Sequence, residues 1–203
     1  MKEISTIFFD IGGVCLTNGW DPAARENSVK QFSFDYEEME KRHSSVFKKF
    51  EKGRMSLDEY LNEVVFFKER SFSKKNLIEF MYSQSCPYNS TIKILEKLSA
   101  KKKYRLAAIN NESLELNEYR INKFKLKRYL TCFFSSCYLN TRKPEKEIYY
   151  KALNIMREDP GKCLFIDDRK ENIQSARAVG LNTIWLENHI ELKEQLIKFK
   201  IEI

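Results

Sequence analysis

Acidic residues directly follow two apolar segments that lie far apart in the chain. The first segment ends at Phe9 and is followed by Asp10, and the second, residues 164–166, is followed by Asp167 and Asp168. Each segment is short and almost continuously apolar, as buried strands of parallel sheets are. Because ligands bind beyond the carboxyl ends of such strands, we expect the three carboxylates to meet at one edge of a sheet.

Other polar residues are expected at the same edge. Asn110 and Asn111 end another apolar run, and Lys143 precedes the second acidic segment. Three carboxylates in a small volume repel one another and require a cation, and a site made only of oxygen ligands favours Mg²⁺ over Zn²⁺. A carboxylate nucleophile beside magnesium and a lysine is typical of phosphoryl transfer. Gly12 and Gly13 allow a tight turn that directs backbone N–H groups at a phosphate.

Strand and helix patterns alternate along most of the chain, which predicts a parallel sheet covered by helices on both faces. The fold class is therefore α/β, with a three-layer, Rossmann-like core. The predicted strands are residues 4–10, 104–110, 131–135, 162–167 and 182–186.

Residues 17–86 differ from the rest, because they hold amphipathic helical stretches and no convincing strand. Ser56 and Glu59 have the spacing of a capping box at the start of one of these helices. We therefore expect a small helical cap, residues 17–86, inserted after the first strand of a core domain formed by residues 1–16 and 87–203.

Composition narrows the possible function classes. The chain has 203 residues, of which 42% are apolar and 32% charged, as expected for a globular protein. We expect no membrane span and no signal peptide, and the five cysteines, without metal-ligand spacing, favour reduced thiols in the cytoplasm. The net charge of +7 is scattered, so that no nucleic-acid partner is expected. Nothing in the sequence indicates an oligomeric state.

Four motifs, in order and spacing, resemble those of the haloacid dehalogenase-like hydrolase superfamily. The motif positions are Asp10, residues 109–111, Lys143 and the pair Asp167-Asp168. Residues 142–144 and 165–172 are similar to the branch that includes α-glucose-1-phosphatase-like phosphatases. The resemblance extends over nearly the whole chain and puts the helical insertion at the C1 cap position of that family.

The resemblance implies a role for each motif residue. Asp10 would attack phosphorus and form an aspartyl-phosphate, while Lys143 would neutralise the phosphate and the nucleophile. Magnesium would be held by Asp10, the backbone carbonyl of Gly12 and Asp168, with Asp167 bound directly or through water. Contacts to the phosphate would come from Asn110, Asn111 and Gly13, with Asn111 alternatively orienting a neighbouring loop.

Two positions depart from the family pattern. Gly12 stands where most family phosphatases have a second aspartate as general acid and base, although the resembled branch also has glycine there. Asn110 stands where Ser or Thr is usual. His43, in the cap, is a candidate for the missing acid.

The leading hypothesis is a magnesium-dependent phosphatase acting on a small phosphorylated metabolite, with sugar phosphates among the candidates. Two alternatives remain open. One is a binding protein that has lost turnover, suggested by Gly12 and Asn110. The other is a 2-haloacid dehalogenase, which shares the aspartate nucleophile but needs no metal.

Overall fold

The fold is a five-stranded parallel sheet with helices on both faces, together with a group of four helices after the first strand. We describe residues 2–203 of a computed structural model. The strands are β1 (Thr6–Phe9), β2 (Arg105–Asn110), β3 (Cys132–Ser135), β4 (Cys163–Asp167) and β5 (Asn182–Trp185). The helices are α1 (Pro22–Phe32), α2 (Tyr36–Glu51), α3 (Leu57–Val64), α4 (Lys74–Ser83), α5 (Asn89–Lys101), α6 (Leu114–Lys123), α7 (Ser136–Leu139), α8 (Lys146–Met156), α9 (Lys170–Ala178) and α10 (Leu192–Lys198).

The strand order is β3-β2-β1-β4-β5, and every neighbouring pair is parallel. This arrangement confirms the predicted fold class, and each predicted strand is present with its ends shifted by two residues or fewer. β1 lies at the centre because its residues are buried on both faces. Phe8 packs into the cluster that includes α8 and α9, whereas Ile7 and Phe9 pack into the cluster that includes α5 and α10.

Sheet register brings the two acidic segments together. Phe9 pairs with Ile166 across the β1–β4 ladder, and the amide of Asp10 donates to the carbonyl of Ile166 at 2.9 Å. The residues that follow each strand therefore leave the sheet side by side. On the other side, Phe9 pairs with Ala108 of β2, whose last residue is Asn110.

Helices α1 to α4 lie within the predicted cap and share their own apolar cluster, to which Leu116 of α6 also contributes. Ser56 and Glu59 form the predicted capping box at the start of α3, with reciprocal side-chain-to-backbone hydrogen bonds. The domain boundaries themselves stay a prediction. Within residues 2–203, no helix combines the length and the apolar character needed to span a membrane.

A glycine fixes how the helical segment meets the core. Gly53, just after α2, has φ +68°, and a Cβ atom placed on it would lie 2.4 Å from the carbonyl oxygen of Cys137. Two ion pairs flank this contact, Glu51 with Arg142 at 2.6 Å and Lys52 with Glu145 at 2.8 Å. The turn after α2 therefore contacts both α7 and the loop that carries Lys143.

We predict that Gly53→Ala lowers the stability of the protein by about 1–3 kcal/mol, because the new Cβ meets backbone and the residue keeps a left-handed conformation. A decrease of at least about 3 °C in Tm should follow. Thermal unfolding measures it, with Gly161→Ala as control, since Gly161 has no positive φ and meets only side-chain atoms, at 3.3 Å or more. Equal Tm values for the two variants would contradict this interpretation of the contact.

Candidate active site

Three carboxylates lie together where β1 and β4 end. Each of Asp10, Asp167 and Asp168 has an oxygen atom within 4.8 Å of an oxygen atom of the other two. Asp10 and Asp167 are buried, and Asp168 is partly buried. The sequence prediction that these residues meet at one sheet edge therefore agrees with the geometry.

Lys143 is the cation of this cluster. Its side chain is only 1% exposed, and its Nζ lies 2.7 Å from Oδ2 of Asp10 and 2.6 Å from Oδ2 of Asp167. Asn111 fixes the backbone of Lys143, because the side-chain oxygen of Asn111 accepts from the amide of Lys143 at 2.8 Å and its Nδ2 donates to the carbonyl at 2.9 Å. Of the two roles considered for Asn111, these bonds support orientation of a neighbouring loop.

Asp167 has its hydrogen-bonding capacity largely filled by protein groups. Its Oδ1 accepts from the amide of Arg169 at 2.8 Å and from Nδ2 of Asn172 at 2.9 Å, while its Oδ2 accepts from Lys143 and, at 3.0 Å, from Asn172. Asn172 is buried in the first turns of α9. Asp167 therefore serves chiefly to hold Lys143 and the β4–α9 loop.

Asp168 is in the opposite situation. Its Oδ1 is buried and has no hydrogen-bond partner among residues 2–203. Its carbonyl accepts from Nε1 of Trp185 at 3.0 Å, which anchors the backbone of the loop. A Cβ atom on Gly13, whose φ is +75°, would lie 2.2 Å from Oδ2 of Asp168. Only glycine at position 13 leaves room for this carboxylate.

One lysine does not balance the three acids. Burial, then Asp167 and Asp168, raise the pKa of Asp10 to about 8, although Lys143 acts in the opposite direction. Burial and Asp167 raise the pKa of Asp168 as well. Burial disfavours the charged form of Lys143, yet the two carboxylates raise its pKa overall. A further positive charge among these oxygen atoms would let all three acids ionise.

Asn110 is not brought into the open part of the site. It is 2% exposed; its Nδ2 donates to the side-chain oxygen of Asn117 at 2.9 Å and its Oδ1 accepts from the hydroxyl of Ser135 at 2.8 Å. These bonds tie β2 to β3 and α6. Since both ends of the amide are already used, these contacts favour a structural role for Asn110, and its contact with phosphate stays a prediction.

A cavity of about 550 Å³ lies between the cluster and the helical segment. Its floor includes Asp10, Gly12 and Lys143. Its helical side contributes aromatic and basic side chains, namely Trp20, Arg25, His43, Phe47 and Phe50. The cavity therefore connects the carboxylate cluster with side chains of α1 and α2.

Sequence reasoning missed a buried ion pair beside Gly12. Arg120 donates to Glu112 at 2.8 Å, and the side chains are 3% and 11% exposed. A Cβ on Gly12 would be 3.7 Å from Nη1 of Arg120 and 3.1 Å from Oδ1 of Asn18. The volume next to Gly12 is therefore occupied by these groups. Arg120 lies on α6, in no recognised motif, and charge alone does not distinguish it from surface arginines.

Comparison with known proteins identifies the family. The model of the haloacid dehalogenase-like hydrolases matches residues 4–180. Flavin mononucleotide hydrolase 1 of Arabidopsis thaliana, a chloroplast protein by its name, is 30% identical over 165 residues, which are 81% of this chain and 66% of that protein. Phosphoglycolate phosphatase of Aquifex aeolicus is 25% identical over 198 residues, 96% of this chain and 91% of that one.

Solved structures share the fold. A HAD family enzyme from Bacteroides thetaiotaomicron superposes with a TM-score of 0.78 at 22% identity, covering 90% of this chain and 93% of that chain. A structure of the same enzyme in complex with magnesium and inorganic phosphate gives a TM-score of 0.76, covering 89% of this chain and 93% of that chain.

The chain belongs to the haloacid dehalogenase-like hydrolase family. The similarity to the α-glucose-1-phosphatase-like branch stays a prediction. The chain spans 66% of the length of the Arabidopsis relative.

We predict that Lys143→Met destabilises the metal-free protein by about 3–5 kcal/mol at pH 8, because it leaves two buried carboxylates without a counter-charge. The loss should be smaller at pH 5. Without the ammonium group, the folded variant binds more protons between pH 5 and pH 8 than the folded wild type does, so the loss of stability relative to wild type grows as the pH rises. Urea unfolding in EDTA measures both values. Lys75→Met, at an 85% exposed side chain, is the control, and a loss that did not depend on pH would contradict the electrostatic explanation.

Proposed function

We propose that the protein is a magnesium-dependent phosphatase that hydrolyses a small phosphorylated metabolite through an aspartyl-phosphate on Asp10. The observation that carries this proposal is the buried carboxylate of Asp10, held 2.7 Å from Lys143 and beside a partnerless oxygen of Asp168, at the floor of a cavity. The Arabidopsis and Aquifex relatives, a flavin mononucleotide hydrolase and a phosphoglycolate phosphatase by name, support the same reaction class.

The donor set fits magnesium. Asp10, Asp167 and Asp168 offer only oxygen ligands, and Oδ1 of Asp168 is a buried acceptor without a partner. We assign Asp10 and Asp168, with the carbonyl of Gly12, as the groups that would hold Mg²⁺, and Asp167 as acting indirectly because its oxygens are already bonded. When bound, the ion would neutralise phosphate oxygens and allow the acids to be ionised together.

The protein's own residues define the remaining steps. Lys143, fixed between Asp10 and Asp167, opposes the rise in the pKa of Asp10 and can contact a phosphate oxygen. An oxygen of Asp10 attacks phosphorus, a P–O bond forms, and the ester P–O bond breaks with its electron pair going to the leaving oxygen. Water then attacks the phosphorus of the aspartyl-phosphate, releasing inorganic phosphate and regenerating Asp10.

The absence of a carboxyl group at position 12 favours one kind of substrate. A leaving oxygen that needs no proton in the transition state, such as an anomeric, acyl or phenolic oxygen, loses less from the missing acid than an alkoxide does. Sugar 1-phosphates therefore remain among the candidates. The proposed compartment is the cytoplasm, consistent with five cysteines that are all free.

Two alternatives have their own supporting observations. One is a binding protein without turnover, which is favoured by Gly12 and by Asn110, whose side-chain amide is already hydrogen-bonded at both ends. A 2-haloacid dehalogenase would also use Asp10, but a reaction that needs no metal leaves three clustered acids unexplained.

The test of the proposed function is a phosphate-release screen with and without EDTA. The panel contains p-nitrophenyl phosphate, glucose 1-phosphate, flavin mononucleotide and phosphoglycolate. We expect Asp10→Asn to lower magnesium-dependent turnover by at least about 10³-fold, because the nucleophile is lost. Asp58→Asn, at a 68% exposed side chain in the cap, is the matched control and should keep wild-type rates. Full activity of Asp10→Asn would refute the nucleophile, and trapping of a phosphate analogue at Asp10 without any turnover would favour the binding protein.

A second prediction concerns leaving groups. In the wild type we expect p-nitrophenyl phosphate and glucose 1-phosphate to react faster than a simple alkyl phosphate such as glycerol 3-phosphate, by about 10²-fold or more, the usual contribution of a general acid. Steady-state kcat/KM values at fixed magnesium give the comparison. Equal values for the three compounds would remove the connection between Gly12 and the leaving group.

A further inference from the structure

Three side chains of the helical segment form a hydrogen-bonded chain that ends at the cavity. Nε1 of Trp20 lies 2.9 Å from the hydroxyl of Tyr60, and that hydroxyl lies 2.8 Å from Nδ1 of His43. Trp20 and His43 line the same cavity as Asp10, while Tyr60 is completely buried behind them. The chain therefore connects the apolar cluster of the cap with the wall that faces the nucleophile.

The directions of these hydrogen bonds follow from the chemistry of the groups. An indole N–H only donates, so the oxygen of Tyr60 accepts from Trp20. Within residues 2–203 the hydroxyl of Tyr60 has no other partner than Trp20 and His43. Its own proton must then be donated to Nδ1 of His43, since a buried O–H group without an acceptor is unfavourable. With Nδ1 as the acceptor, a neutral ring carries its proton on Nε2.

His43 stays neutral near pH 7. Burial, followed by the charge of Arg25, lowers the pKa of His43 to about 4, and the opposing effect of Glu40 is smaller. Nε2 has no hydrogen-bond partner among residues 2–203, and it is not one of their enclosed polar atoms without a partner. The Nε2–H group therefore keeps accessible surface, on a side chain that lines the cavity.

Two arginines that line the cavity are already paired with acids. Arg25 is bound to Glu40 and to the carbonyl of Trp20, and Arg142 is paired with Glu51. The ring of His43 also stacks on Phe47, with centroids 5.4 Å apart and planes at 27°. A neutral donor beside an aromatic surface is suited to an uncharged acceptor, such as a carbonyl oxygen or a ring nitrogen.

We propose that His43 determines substrate specificity by donating a hydrogen bond from Nε2 to an acceptor on the non-phosphate part of the substrate, with Tyr60 and Trp20 as positioning residues that fix its tautomer. This inference rests on the proposed phosphatase function only for the existence of a phosphorylated substrate. It replaces the hypothesis that His43 supplies the missing acid, because a ring that is neutral at pH 7 is a poor proton donor to a leaving group.

The tautomer is measured without any turnover. Long-range ¹H–¹⁵N correlation spectra of ¹⁵N-histidine-labelled protein at pH 7 distinguish a protonated Nε2 from a protonated Nδ1. The chain has two histidines, so the variant His189→Gln assigns the signals. We expect Nε2–H for His43, and in Tyr60→Phe a change towards Nδ1–H or a mixture. An imidazolium or an Nδ1–H form in the wild type would overturn the proposal.

The specificity role is measured by kinetics with the best metabolite of the screen and with phenyl phosphate, whose non-phosphate part has no acceptor. We expect His43→Leu to raise KM for the metabolite by about threefold to tenfold, the usual contribution of one neutral hydrogen bond, with a smaller change in kcat. The increase in KM should be larger for the metabolite than for phenyl phosphate. His43→Gln, which keeps an N–H group near the position of Nε2, should recover part of the loss.

His189→Gln is the control, because His189 stacks on Tyr88 and contacts Ser90 and does not line the cavity. Equal losses on both substrates, or equal losses in His43→Gln and His43→Leu, would overturn the specificity role. If no compound of the screen were turned over, the phosphatase proposal would fail, while the tautomer measurement would still decide whether His43 is the donor.

Discussion

The site depends on one electrostatic constraint, the placement of three carboxylates around a single buried ammonium group. Lys143 is shared between Asp10 and Asp167, and Asp168 completes the acidic cluster. Burying such a group is unfavourable unless every charge is paired or hydrogen-bonded. The surrounding residues provide hydrogen bonds and charge pairs for Asp167 and Lys143. One buried oxygen of Asp168 is left without a hydrogen-bond partner.

The supporting contacts come from separate parts of the chain. Asn172 and the β4–α9 loop hold Asp167, and Asn111 holds the backbone of Lys143. Through Arg142, the loop that carries Lys143 also contacts Glu51 at the end of α2. The position of the lysine is thus coupled to the helical segment above the cavity, which is the segment that supplies the proposed donor His43.

Family membership and local geometry constrain the function in different ways. The family assignment places the chain among the haloacid dehalogenase-like hydrolases, and the geometry shows three carboxylates clustered beside one lysine. Position 12 is also restricted sterically, because Asn18 and Arg120 occupy the volume next to Gly12. Side chains of the helical segment line the same cavity as Asp10, and these residues lie outside the four motifs.

The amino-acid sequence alone was sufficient for the parallel sheet, its strands and the convergence of Asp10, Lys143, Asp167 and Asp168, since continuous apolar runs and the motif order are local signals. It could not distinguish the two asparagines. Asn110 and Asn111 are adjacent, yet one joins a buried network with Ser135 and the other clamps Lys143. Nor could it assign the tautomer of His43, which depends on Tyr60 and Trp20 on other elements. Hydrogen-bond partners distant in sequence decide the direction of each side chain, and only the tertiary structure brings them within bonding distance.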